Sequence, residues 1–136
     1  MTQSSHDLVK SFFAAMPAGE LTIDFFTPDL ETQSITSPPN RSAEFYVGGI
    51  NLVQAQFPAG LHYTAESIVA EGDRAAARVR GHGVMKDGRE YRNDYTFWFT
   101  FRDGRIASVF EFFDPKPVDE LIMPVVRAFM AEQAKP

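Results

Sequence analysis

The stretch Tyr91-Arg92-Asn93-Asp94-Tyr95-Thr96-Phe97-Trp98-Phe99-Thr100-Phe101 carries a ring or an amide at every odd position and mostly polar groups between them. A period of two is the pattern of a strand buried on one face. Asp87-Gly88 precedes this stretch and Asp103-Gly104 follows it, and an Asp-Gly pair between alternating segments is a hairpin signal. The segment from Asp73 to Asp114 therefore reads as three consecutive antiparallel strands.

Loop length decides which side chains share the aromatic face, because register in a hairpin follows the turn. A two-residue turn at Asp87-Gly88 sets His82 opposite Asn93, Arg80 opposite Tyr95 and Arg78 opposite Phe97, so that three basic groups face inward. A three-residue loop turns Arg78, Arg80 and His82 outward and buries Ala75, Ala77, Val79 and Gly81, whose small apolar side chains suit that choice. At the second turn, a two-residue loop puts Phe112 and Asp114 on the aromatic face. A three-residue loop with Gly104 in a bulge puts Glu111 and Phe113 there instead.

The remaining chain supplies helices and two more strands. Ser4 or Ser5 caps a helix running to about Met16, with Leu8, Val9, Phe12, Phe13 and Met16 as its apolar stripe. A short helix over Leu21, Ile23, Phe25 and Phe26 stops before Pro28, a strand follows from Leu30 to Thr36, and Ser37-Pro38-Pro39-Asn40 forms a turn. Ser42 caps a third helix whose Tyr46, Ile50, Val53 and Phe57 fall on one stripe facing the sheet. Gly48-Gly49 interrupts this helix at about 1 kcal/mol per glycine. Leu61 to Ala70 is a strand leading into the central hairpins. Pro115 and Pro117 end the last one, and an apolar tail from Val125 to Met130 is placed to cover a pocket mouth or a neighbouring subunit. The order defines an α+β domain over residues 1–136: a cone-shaped, bent antiparallel sheet with three helices of the N-terminal half on its concave face.

The 136 residues are 44% hydrophobic, include 13 Phe and lack cysteine, which leaves out disulfides and thiolate chemistry. The net charge of −5, without a basic run, argues against nucleic acid as a partner. No apolar run approaches the roughly 20 residues of a membrane span, and the N-terminus lacks a signal-peptide pattern, so a cytoplasmic location is expected. The three histidines, at 6, 62 and 82, have no ligand spacing, so no metal and no cofactor are expected.

The order of elements, the Tyr91-x-Asn93-x-Tyr95 strand, the Asp103-Gly104-Arg105-Ile106 turn and the Glu111-Phe112-Phe113-Asp114 strand end resemble the nuclear-transport-factor-two-like superfamily. This group includes the SnoaL-like polyketide cyclases, ketosteroid isomerase, limonene epoxide hydrolase and the phenazine-biosynthesis A/B proteins. Alignment with limonene epoxide hydrolase runs from Asp29 to Asp114 and matches its catalytic arginine to Arg78 and its strand-end aspartate to Glu111. Its second aspartate falls on Arg80, and its water-holding tyrosine and asparagine fall on Thr32 and Ser34, so the resemblance does not carry epoxide hydrolysis across. Ketosteroid isomerase places its base near Ser34 and its oxyanion acid near Phe97-Trp98, where this chain has no acid. The cyclases and the phenazine proteins keep an acid at the position of Glu111, and the latter share a Gly-His-Gly like Gly81-His82-Gly83. The resemblance favours the two-residue first turn and the bulged second one, which places Glu111, Arg80 and His82 inside.

On this basis Glu111 is the candidate proton-transfer group and His82 its assistant. Arg78, Arg80, Asn93, Tyr95, Phe57, Phe113 and Asp114 are candidate substrate-binding residues, for a small hydrophobic molecule bearing a carbonyl or carboxylate. The implied activity is cofactor-free acid/base chemistry of the cyclase, isomerase or lyase kind. A non-catalytic ligand-binding protein and a dimeric assembly module are the other readings. Trp98, on the opposite sheet face, points to a homodimer interface.

Overall fold

A computed structural model describes residues 4–135. Ser4 caps helix α1 (Ser5–Ala18) by accepting from Asp7 N, and Gly19, at φ 70°, closes it in the left-handed conformation that glycine adopts without strain. Pro17 sits inside the last turn, and the helix runs two residues beyond the end expected at Met16. The expected second helix is only a 3-10 turn, Ile23–Phe25. Strand β1 (Phe26–Ser34) begins there and runs through Pro28. Its ladder with β6 (Arg105–Phe113) shifts register between Phe26 and Glu31, a span that includes Pro28, which has no amide hydrogen to donate. Ser37-Pro38-Pro39-Asn40, expected as a turn, is the edge strand β2 (Ser37–Asn40), where prolines are tolerated because one side needs no partner.

Helix α2 (Ala43–Gln54) starts at Ser42, whose hydroxyl accepts from Phe45 N at 3.1 Å. The strands β3 (His62–Glu71), β4 (Arg74–Val84) and β5 (Glu90–Arg102) follow. The sheet order is β2-β1-β6-β5-β4-β3. It is mixed rather than antiparallel throughout, because β1 and β6 run parallel.

The register settles both turns, and each differs from the one the resemblance favours. Met85 N donates to Arg89 O at 2.8 Å and Gly88 N to Met85 O at 2.9 Å, with Gly88 at φ 89°. This is a three-residue loop, a type I turn followed by a left-handed glycine. Arg102 pairs with Arg105 across Asp103 and Gly104, at φ 55° and 74°, which is a two-residue type I′ turn. An extra residue, Ala107, lies between the Phe101–Ile106 and Thr100–Ser108 pairs. That bulge reverses the alternation and sends Val109, Glu111 and Phe113 to the face of Phe99, Phe97 and Tyr95.

α1 closes the concave face. Phe12 is fully buried, with edge-on contacts to Phe26, Phe97 and Phe99 at centroid distances of 6.2, 6.4 and 5.6 Å. Beyond β6, a helical turn Pro115–Pro117, a π turn Val118–Ile122 and a helix Met123–Gln133 complete the described chain. Val118, Leu121, Val125 and Val126 pack on the core.

Candidate functional site

A cavity of about 220 Å³ lies between α2 and the concave sheet face. α2 contributes one wall through Phe45, Tyr46, Gly49, Ile50, Val53 and Gln54, and Met16, Tyr63, Phe97 and Glu111 form the other. The volume is below the roughly 300–1,000 Å³ of drug-sized sites, so a small ligand fits it. Among the described residues, Glu111 is the one charged side chain on its lining. Tyr46 Oη donates to Glu111 Oε1 at 2.6 Å. No described residue hydrogen-bonds to Oε2.

Burial pushes the Glu111 carboxyl above its ordinary value, and the hydrogen bond from Tyr46 opposes that shift. Burial and the Glu111 charge raise both Tyr46 and Tyr63, so both phenols stay protonated and act as donors. A carboxyl raised above its ordinary value by burial and fixed by one phenol is suited to give and take a proton. The Gln54 amide is already committed, donating to Leu61 O and accepting from Leu61 N, both at 2.8 Å.

Behind the cavity lies a buried polar chain. The Tyr91 and Tyr95 hydroxyls are 2.5 Å apart, and Asn93 Nδ2 donates to Tyr91 Oη at 3.0 Å and to Asp114 O at 2.9 Å. Asn93 Oδ1 accepts from Asp94 N at 2.8 Å and from Asp114 N at 3.3 Å. Asn93 and Tyr95 therefore face inward as expected, yet they bond within the chain and do not line the cavity. Phe57 and Phe113 also pack inside without lining it: Phe57 lies 6.1 Å from the Tyr91 ring and Phe113 5.7 Å from that of Tyr95. Asp114 caps the turn after β6 by accepting from Lys116 N at 3.0 Å.

Arg78, Arg80 and His82 are corrections to the inward placement. The three-residue first turn pairs them with Thr96, Asp94 and Arg92, and all three are exposed on the outer face. Arg80 bridges Glu66 and lies 4.0 Å from Asp94, and His82 is 3.6 Å from Glu90. The glycines flanking His82 have a packing reason: a Cβ at Gly81 would sit 2.8 Å from the Tyr95 ring and one at Gly83 2.7 Å from the Phe57 ring. With Arg78 on the outer face, the match to the epoxide hydrolase arginine does not carry a role inward. Of the nine residues singled out from the sequence, Glu111 alone reaches the cavity. Tyr46 and Tyr63 are not among them, although Tyr46 stands on the α2 stripe aimed at the sheet.

The sequence matches the SnoaL-like domain family over residues 9–109, and the chain belongs to that family. No curated protein matches it. Its fold is shared with a proposed polyketide cyclase from Streptomyces antibioticus, at 23% identity and TM-score 0.73, covering 87% of this chain and 97% of that one. A proposed isomerase from Bacillus subtilis superposes with TM-score 0.74 at 19% identity over 87% and 91% of the two chains. An epoxide hydrolase of the limonene type from M. tuberculosis does so with TM-score 0.71 at 15% identity over 93% and 94%.

Proposed function

We propose that this protein is a small-molecule enzyme that moves a proton without a cofactor, a cyclase or isomerase in kind, with Glu111 as its acid and base. The observation that carries this reading is a single carboxyl on an otherwise uncharged cavity, held by Tyr46 at 2.6 Å and displaced upward in pKa by burial. The Tyr46 proton is committed to Glu111, and the Tyr63 phenol on the same lining is a donor for a substrate oxygen. The cavity size and lining favour a small, mostly apolar molecule with a carbonyl. A substrate carboxylate loses its support, since among the described residues no Arg, Lys or His lines the cavity.

Hydrogen–deuterium exchange at the carbon next to the carbonyl of small ketones, followed by NMR in D₂O, tests this while the natural substrate is still unidentified. Wild type should accelerate exchange, and Glu111→Gln should lose roughly a hundredfold or more of that acceleration while still binding the ketone. Equal exchange by both would leave a binding protein as the better reading.

We propose further that two copies pair through the outer sheet face. Trp98 and Val69, 55% and 69% exposed there, line a groove of about 530 Å³, and Phe112 is 43% exposed on the same face. Among the described residues no helix is long and apolar enough to cross a membrane, which is compatible with the cytoplasmic location proposed.

A further inference from the structure

We propose that the cavity between α2 and the sheet takes a small protonated amine with an apolar body, its ammonium seated against the free oxygen of Glu111. This names the ligand class of the site above and rests on that cavity being the functional one. Glu111 stands alone there: its Oε1 is held by Tyr46, and no described residue donates to its Oε2. A half-buried carboxylate beside apolar rings gains from a counter-charge, and among the described residues none with positive charge lines this cavity. The basic residues on β4 point to the opposite side of the sheet, where Arg80 and His82 already face acids.

The remaining wall suits a cation as well. Tyr46, Tyr63, Phe97 and Phe45 line the cavity, and ring faces carry negative charge density that attracts an ammonium. Tyr63 and Phe97 lie edge to face with centroids 6.2 Å apart, so the two rings present differently oriented surfaces to the same space. An anion meets a carboxylate and ring faces with no positive group to offset them. A neutral ligand gains the apolar contact but leaves Glu111 without a counter-charge.

Benzylamine, benzyl alcohol and benzoate share one ring and differ in charge, and calorimetric titration of each into wild type and Glu111→Gln at neutral pH tests the proposal. Benzylamine should bind wild type roughly tenfold or more tightly than benzyl alcohol, benzoate most weakly, and Glu111→Gln should reduce benzylamine to the level of the alcohol. NMR of the wild type supplies a readout that needs no variant: benzylamine should shift ring resonances of Tyr63 and Phe97 and spare the Trp98 indole. Equal binding of amine and alcohol, or benzylamine binding that Glu111→Gln leaves unchanged, overturns the amine assignment while leaving the cavity as a site for neutral ligands. Silence from all three probes overturns the assignment together with the reading of the cavity as the functional site.

Discussion

The Tyr46 hydroxyl, on α2, donates to Glu111 Oε1, on β6, at 2.6 Å across 65 positions of sequence. This bond joins the two walls of the cavity, so the distance between helix and sheet and the acidity of the carboxyl are set by the same contact. Loss of the bond is expected to alter both.

Tyr46→Phe removes a donor that favours the ionised carboxyl, so Glu111 should titrate at higher pH in the variant. A titration of the glutamate side-chain carbons by ¹³C NMR reads this directly. An unchanged midpoint would mean that the bond does not hold the carboxylate in solution.

Glu111→Gln should change how stability depends on pH. Glu111 binds its proton more tightly folded than unfolded, so its contribution is fully present below the unfolded value of about 4.5 and fades as pH rises through the folded one. Melting temperatures of wild type should therefore fall relative to Glu111→Gln from about pH 4.5 upward. Parallel curves for the two proteins would contradict the upward shift.

The strand pattern of β5 makes the α+β sheet legible, and the apolar stripes of α1 and α2 place both helices. The turns are less legible because one dipeptide, Asp-Gly, serves two geometries. Gly88 alone takes a positive φ at the first turn, whereas Asp103 and Gly104 both do at the second. The deciding signal at the first is the side of β4 that buries: Ala75, Ala77, Val79, Gly81 and Gly83 go inward, and at Gly81 and Gly83 the Tyr95 and Phe57 rings leave no room for a Cβ. Glu111 reaches the cavity through a feature the sequence does not advertise, the bulge at Ala107, which has no glycine or proline marker beside it. Tyr46 and Tyr63 are hard to recognise as site residues because a tyrosine on an apolar stripe looks like core until its hydroxyl is seen to meet an acid.

Asn93→Ala should destabilise the fold by about 2–3 kcal/mol, since it leaves the amides of Asp94 and Asp114 and the Asp114 carbonyl without their side-chain partner. Urea denaturation gives the number. A cost near zero would indicate that water replaces the amide there.

Trp98→Glu should convert a dimer to a monomer, seen as a halved mass in light scattering, with the cavity unaffected because Trp98 lies on the far face. A mass that does not change on substitution would place any self-association elsewhere.

The extra residue at Ala107 gives β6 two latent identities. Along this strand the outward set includes the stacked rings of Phe110 and Phe112, 4.7 Å apart, and the inward set includes Glu111 and Phe113. Removing one residue at the bulge, with no change in any side chain beyond it, exchanges the sets: the rings of Phe110 and Phe112 replace Glu111 on the cavity side, and the Glu111 carboxylate appears on the outer surface. In this chain the difference between a reactive pocket and a sealed packing module is therefore one of strand length, so related sequences can cross from one to the other by a single deletion while keeping every residue that surrounds the site.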